Sequence, residues 1–141
     1  MAYLLDTCAI SEFFKPEPNR GVIEWLDAQI PESLFLSVLT IGEIRKGISK
    51  LPPSKKRDSV TLWLDEMKAR YHGRILGFDL RAAEIWGSMR AKAETNGSTL
   101  SMIDSLIAAT AVENGLVIVT RNEKDFAAAD VRIFNPWEPK E

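Results

Sequence analysis

Short, continuously apolar segments alternate with longer helix-like segments along this chain, and that alternation restricts its fold more than any other feature. The strongest apolar segment is residues 116–119, residues 3–5, 34–36 and 75–78 repeat the pattern, and residues 131–134, which include Arg132, are a last candidate strand. A strand without alternating polar residues is buried on both faces, which is typical of parallel sheets. The pattern therefore predicts an α/β fold, with a short, mostly parallel sheet flanked by helices.

The segments between these strands carry helix start and stop signals. Asn19, Ser54, Asp79 and Ser101 are N-cap residue types that precede amphipathic or apolar stretches. They predict helices over residues 20–29, 55–71, 80–95 and 102–113, beside further helices over 7–14 and 39–49. No repeat or linker interrupts the 141 residues, so we expect a single domain over residues 1–141.

Composition and charge exclude several classes of protein. The chain is 45% hydrophobic and 27% charged with a net charge of −2, so any nucleic acid must meet a local basic patch or the surface of a partner. The single cysteine, Cys8, excludes an internal disulfide and suits a reducing compartment. No signal peptide or membrane-spanning run is recognisable, which predicts a cytoplasmic protein without membrane association.

Acidic and amide side chains occupy positions that a parallel sheet would bring together. Asp6 follows the first strand and Asn122 follows the strand at residues 116–119, and the carboxyl ends of parallel strands share one edge. Glu43 and Asp104 lie in early turns of helices that begin near that edge. Because the helix around Asp104 is apolar nearly all round, we expect this carboxylate to be buried and unpaired. The four side chains are therefore predicted to converge on one catalytic pocket.

Several carboxylates at one point repel each other unless a cation joins them. The ions that prefer oxygen ligands are hard divalent cations such as Mg²⁺ or Mn²⁺, so Asp6, Glu43 and Asp104 are predicted metal ligands for phosphodiester chemistry. Further candidates share the same edge and supply hydroxyl, carboxylate or guanidinium groups to the pocket or to a phosphate. These accessory residues are Asp125, Thr7, Ser37, Arg45, Thr120 and Arg121.

Other interpretations of these residues are structural or invoke different chemistry. Asp6 is also a good N-cap, and Glu43 is also an acid that a helix dipole stabilises. One histidine, His72, and one cysteine are too few for a zinc site or a Cys–His pair. A phosphatase of the haloacid dehalogenase type would need a second Asp two residues after Asp6, where this chain has Cys8.

Five motifs in order resemble one known family. They are Leu4-Leu5-Asp6-Thr7, residues 40–47 (TIGEIRKG), residues 103–111 (IDSLIAATA), Val119-Thr120-Arg121-Asn122 and Phe134-Asn135-Pro136-Trp137. Together they resemble PIN-domain proteins, and more narrowly the VapC/FitB-type toxins of bacterial toxin–antitoxin pairs. The resemblance implies a three-layer α/β sandwich and Mg²⁺- or Mn²⁺-dependent endoribonuclease activity. It also implies a homodimer that a small antitoxin inhibits, with operator DNA bound only through the antitoxin.

Asp6, Glu43 and Asp104 match three acids of that family. The fourth position is often Asp but is Asn122 here, and Cys8 stands where many members carry Asn. The missing charge leaves the number of tightly bound metal ions open. It also leaves open an alternative function, a PIN-like binding module with weak catalysis that acts as the dimeric partner in a DNA-binding complex.

Overall fold

The sheet has five strands, and every pair of neighbouring strands is parallel. A computed structural model describes residues 1–137, so residues 138–141 of the predicted domain lie outside it. The strands lie in the order β3-β2-β1-β4-β5. They are β1 (Tyr3–Leu5), β2 (Leu34–Ser37), β3 (Ile75–Leu76), β4 (Val117–Val119) and β5 (Ile133–Phe134). The parallel sheet with flanking helices confirms the predicted α/β fold.

Six α-helices cover the sheet in the described part of the chain. They are α1 (Thr7–Ser11), α2 (Arg20–Asp27), α3 (Val38–Lys50), α4 (Lys55–Arg70), α5 (Leu80–Thr95) and α6 (Met102–Glu113). The predicted caps form, because the side chains of Asn19, Ser54, Asp79 and Ser101 each accept a backbone N–H from the first turn that follows. No helix among residues 1–137 is long and apolar enough to cross a membrane.

Neighbouring residues of each strand point to opposite faces and divide the core in two. Leu5, Leu36 and Val119 pack with α1 to α4 on one face. Leu4 and Ile118 pack with α5 and α6 on the other face. Each fully buried leucine or isoleucine contributes about 1.5–3 kcal/mol to folding, which holds the central strands between two helical layers.

The edge strands are shorter than the sequence predicts. The strand expected over residues 75–78 is Ile75–Leu76, and the one expected over 131–134 is Ile133–Phe134. Both pair with a neighbour on one side only, so fewer hydrogen bonds extend them. The helix expected over residues 7–14 ends at Ser11 and continues as a 3₁₀ helix, Glu12–Phe14. Further 3₁₀ helices, at Pro31–Ser33 and Glu123–Phe126, were not predicted.

The carboxyl ends of β1 and β4 meet at one edge, which we call the carboxyl edge. The Asp6 N–H donates to the Val119 carbonyl at 3.0 Å, and the Thr120 N–H donates to the Phe134 carbonyl at 3.1 Å. The residues that follow the central strands are therefore held side by side. Helices α1 and α3 both begin directly after their strands at this edge, which places their first turns next to the same point.

Candidate active site

Asp6 lies at the centre of the carboxyl edge and is only 6% exposed. Its Oδ1 accepts the Thr7 N–H at 2.9 Å, which makes Asp6 the N-cap of α1, and its Oδ2 accepts the Thr120 hydroxyl at 2.9 Å. Burial raises the pKa of Asp6, and the nearby charge of Glu43 raises it further, while the bonds from Thr120 and Thr7 act in the opposite direction. The capping role and a role in the site are thus compatible.

Glu43 lies in the second turn of α3 and is half-buried. Its Oε1 accepts the Thr7 hydroxyl at 2.8 Å, so one residue joins Asp6 to Glu43 through its N–H and its hydroxyl. Ser37 is buried and caps α3 by accepting the Leu39 N–H at 3.0 Å. Its hydroxyl therefore helps to position the helix that carries Glu43.

Asp104 differs from the prediction, because it is half-buried and has a partner. The Ser101 hydroxyl donates to its Oδ2 at 2.8 Å and accepts its backbone N–H at 3.1 Å. The residues at the start of α6 are exposed, so Asp104 is only half-buried although the helix is apolar nearly all round. Burial nevertheless raises the pKa of Asp104, and the charges of Asp6 and Asp125 raise it further.

Asn122 and Asp125 are both exposed, on the segment that follows β4. The Asn122 N–H donates to Thr120 Oγ1 at 3.0 Å, but its side chain does not cap the 3₁₀ helix that follows. Asp125 lies in that 3₁₀ helix, and its charge acts on Asp104. A fourth negative charge is therefore present near the site although the fourth motif position is an amide.

The remaining candidates at this edge have different surroundings. Cys8 Sγ lies 3.8 Å from Asp6 Oδ2 and accepts the Arg121 N–H at 3.5 Å, and burial raises the pKa of the thiol. The Arg121 guanidinium lies over the Trp137 ring, 5.4 Å from its centroid. Arg45 is exposed on α3 and has no ion pair among residues 1–137.

The side chains suit a hard divalent cation, with one qualification. Their donors are carboxylate, hydroxyl and amide oxygens, which Mg²⁺ and Mn²⁺ prefer. Burial and like-charge contacts disfavour ionised Asp6 and Asp104, and a cation would reverse both effects. Within residues 1–137, however, no three Asp, Glu, His or Cys side chains are gathered closely enough to hold a metal ion directly. Magnesium commonly binds through one or two carboxylates and keeps several waters, so the donor set fits such a water-rich site.

The sequence analysis missed the partner of Asp104 and a second buried acid, Glu12. The spacing of Ser101 and Asp104 is that of a capping box, a signal that could have identified the Ser101 partner of Asp104. Glu12 is 2% exposed. Its Oε1 accepts the Asn19 N–H at 2.7 Å and its Oε2 lies 3.1 Å from Lys15 Nζ. Burial alone would raise the pKa of Glu12, but these partners hold it below its usual value. No sequence pattern distinguished this acid from a solvated one.

Comparison with known proteins is consistent with this arrangement. The PIN domain profile matches residues 3–132. A VapC ribonuclease of Sinorhizobium fredii is 42% identical over 137 residues, which cover 96% of this chain and 98% of that protein. Toxin FitB of Neisseria gonorrhoeae is 42% identical over 135 residues, which cover 95% of this chain and 97% of that protein.

Solved structures of related proteins also align with this chain. A crystal structure of FitAcB from Neisseria gonorrhoeae aligns with a TM-score of 0.91 at 40% identity, covering 97% of this chain and 99% of that one. DNA-bound VapBC from Salmonella typhimurium aligns with a TM-score of 0.80 at 25% identity, covering 96% and 98%. Because the profile match spans most of the chain and these relatives align almost end to end, the chain belongs to the PIN-domain family.

Proposed function

We propose that this chain is a divalent-cation-dependent endoribonuclease and the toxin of a toxin–antitoxin pair. The observation that carries the proposal is the set of acids at the carboxyl edge: Thr7 joins Asp6 to Glu43, and burial and like charge raise the pKa values of Asp6 and Asp104. Perturbed pKa values of this kind cluster at functional sites. The names of the VapC and FitB relatives support RNA cleavage and toxicity.

In this proposal the carboxylates hold Mg²⁺ or Mn²⁺, directly or through water. A bound ion of this kind supplies Lewis-acid activation of water and of a phosphodiester. The chain's own hydroxyls fix the carboxylates, since Thr120 and Thr7 orient Asp6 and Glu43 while Ser101 orients Asp104. These bonds leave Glu43 Oε2 and Asp104 Oδ1 without a protein donor among residues 1–137, so both oxygens are available to a ligand.

Residues beyond β4 complete the proposed pocket. Asp125 supplies the fourth negative charge, as its effect on the pKa of Asp104 suggests. Asn122 and Arg121 are exposed beside it, where an amide can orient a water and a guanidinium can contact a phosphate. Cleavage by water at this pocket predicts products with a 5′-phosphate and a 3′-hydroxyl.

An apolar groove next to the pocket is the proposed docking site of the antitoxin. It lies between α1, α3 and α4, has a volume of about 690 Å³, and includes Phe14, Val60, Trp63 and Thr7. Because the Thr7 hydroxyl bonds to Glu43, a segment that fills the groove reaches the acidic pocket. In this proposal the toxin is a cytoplasmic homodimer. Since the net charge of the chain is −2, operator DNA would bind through the antitoxin, and the DNA-bound VapBC of Salmonella typhimurium supports DNA binding by such a complex.

A second candidate function is the weakly catalytic binding module. The absence of a closed three-residue metal cluster among residues 1–137 favours it, as does the uncharged Asn122. This candidate predicts that the pocket acids can be changed without altering any RNA-directed activity. Comparing RNA cleavage by the native chain and by a variant of one pocket acid therefore distinguishes the nuclease from the binding module.

The test is cleavage of total cellular RNA by the purified chain with Mg²⁺, with Mn²⁺ and with EDTA, beside Asp104→Asn. We expect cleavage that needs the metal and falls at least about 100-fold in the variant, because losing even an outer partner of a metal ligand costs 10–100-fold. Asp130→Asn is the matched control, since Asp130 is an exposed acid on the loop before β5, and it should cleave normally.

Two results would contradict the proposal. Equal cleavage by Asp104→Asn and the native chain would mean that the carboxyl edge is not the active site. Products that end in a 2′,3′-cyclic phosphate would mean that the ribose 2′-hydroxyl, rather than water, attacks the phosphodiester. End-group analysis of the gel-purified fragments separates these chemistries.

A further inference from the structure

A second cleft, which we call the lysine cleft, lies along α3 and opens at the acidic pocket. It has a volume of about 490 Å³ and is formed by one face of α3 and the start of α6. Val38, Leu39 and Glu43 line the part nearest the start of α3, together with Ile103, the neighbour of Asp104, and Lys46 and Lys50 continue the cleft towards the end of the helix. Both lysines therefore lie in the same cleft as Glu43.

Both lysines of this cleft are available to a ligand. They are exposed, and the ion pairs within residues 1–137 are Lys15–Glu12, Lys68–Asp65 and Arg90–Glu94. Glu43 is three residues before Lys46 but bonds to Thr7 instead. The two ammonium groups are thus the uncompensated positive charges of the cleft.

The spacing of these charges suits a polyanion. Lys46 and Lys50 are one helical turn apart, and a rise of 1.5 Å per residue separates them by about 6 Å along the axis. That separation is comparable with the distance between successive phosphates of a nucleic acid strand. Glu43 continues the same row by a further three residues, so the row ends at the proposed cleavage point.

Two glycines keep the lysine cleft open. Gly42 and Gly47 line it in the middle of α3, and a Cβ at either position would meet no atom within 4 Å. Glycine inside a helix costs about 1 kcal/mol relative to alanine, and neither packing nor a positive φ requires it here. Larger side chains at these positions would instead project into the cleft beside Glu43 and Lys46.

We propose that Lys46 and Lys50 bind consecutive backbone phosphates of a single RNA strand and so position the adjoining phosphodiester at the acids. The inference rests on the proposed ribonuclease function and adds positioning residues to it. The lysines act on the backbone alone, so they provide affinity without sequence preference. They also explain how a chain with a net charge of −2 attracts RNA to one place.

The experiment measures RNA binding separately from cleavage. In an Asp104→Asn background with EDTA, fluorescence anisotropy gives the Kd for fluorescein-labelled poly(U) over a series of NaCl concentrations. Lys46→Ala and Lys50→Ala should each lower the slope of log Kd against log salt by about 0.7, the value for one phosphate contact on a single strand. Lys92→Ala removes the same charge from the exposed face of α5 and should leave the slope unchanged.

The substitutions are suitable because alanine favours helix and both lysines are exposed. Lys46→Arg should retain the slope, which separates the loss of charge from a change in helix structure. In a chain that retains Asp104, the double variant Lys46→Ala/Lys50→Ala should raise the KM for RNA cleavage much more than it lowers kcat. A melting curve for each variant checks that the fold is intact.

Each outcome decides the inference separately from the proposed function. Slopes for Lys46→Ala and Lys50→Ala equal to that of Lys92→Ala would overturn the inference, even if Asp104→Asn abolished cleavage. Reduced slopes with no cleavage by the native chain would support the RNA cleft and contradict the nuclease. A change in sedimentation coefficient with an unchanged slope would overturn the inference by making the cleft a protein contact.

Discussion

The two edges of the sheet differ in whether their surroundings stabilise a charged side chain. At the carboxyl edge, Asp6 and Asp104 have raised pKa values because burial and like charges disfavour their ionised forms. At the opposite edge, just before β3, the Arg74 guanidinium donates to the carbonyls of Pro31, Leu34 and Arg70 at 2.5, 2.6 and 2.9 Å. It also lies 4.7 Å from the centre of the Tyr71 ring.

The difference separates a structural charge from a functional one. The acceptors around Arg74 stabilise its charge, and they join the start of β2 to the end of α4. At the carboxyl edge Asp6, Glu43 and Asp104 each accept one side-chain hydroxyl, and like charges act on Asp6 and Asp104. The comparison predicts that changes at the carboxyl edge remove activity and spare stability, whereas changes at Arg74 do the reverse.

The largest effect is expected for Asp6→Asn. Asparagine keeps the oxygen that caps α1 and places an amide N–H donor against Thr120 Oγ1, whose hydroxyl must then turn away, and it removes the most buried charge of the pocket. We expect RNA cleavage to fall at least about 100-fold while the metal-free melting temperature stays equal or rises. Cleavage assays and calorimetry in EDTA measure the two parts, and a clear loss of metal-free stability would instead make Asp6 a structural residue.

Arg74→Ala should have the next largest effect, on stability alone. It removes charge-assisted hydrogen bonds to three carbonyls, and water can replace some of them because Arg74 is half-exposed. We expect a loss of about 2 kcal/mol in the free energy of unfolding, measured by urea denaturation. Cleavage well below the melting temperature should be normal. Arg74→Lys is the control, since one ammonium cannot reach all three carbonyls and should recover only part of the loss.

Thr7→Val tests the bond that joins Asp6 to Glu43. Valine keeps the shape of the side chain and the backbone N–H that donates to Asp6 Oδ1, but it removes the hydroxyl that donates to Glu43. A loss of about 10-fold in cleavage is expected, in the range for outer partners of metal ligands, with little change in the melting temperature. Thr7→Ser retains the hydroxyl and should cleave almost normally, and equal losses in both variants would exclude the hydrogen bond as the cause.

The smallest effect is the pH dependence of stability without metal. Because the folded protein raises the pKa of Asp6, it binds a proton more tightly than the unfolded chain does. The free energy of unfolding therefore falls as the pH rises from the unfolded pKa through the raised one. Relative to Asp6→Asn, the native chain should lose melting temperature as the pH rises above about 4, the ordinary pKa of an unfolded Asp. An opposite sign would contradict the raised pKa.

Much of the fold follows from local sequence, because its signals act over a few residues. The caps at Asn19, Ser54, Asp79 and Ser101 were predictable since one side chain and the next turn suffice to form them. The central strands were predicted almost to the residue because they are buried on both faces. The edge strands were not, because their length depends on a neighbour that exists on one side only.

The sequence by itself determined the parallel α/β fold, the family and the order of the acids, since periodicity, caps and motifs are properties of neighbouring residues. Only the tertiary structure decided the surroundings of those acids. It left Asp104 half-buried and bonded to Ser101, joined Thr7 to Glu43, brought the charge of Asp125 near the pocket and buried Glu12 against Asn19. Burial, pKa and charge coupling depend on groups that are distant in the chain, so a local pattern cannot specify them.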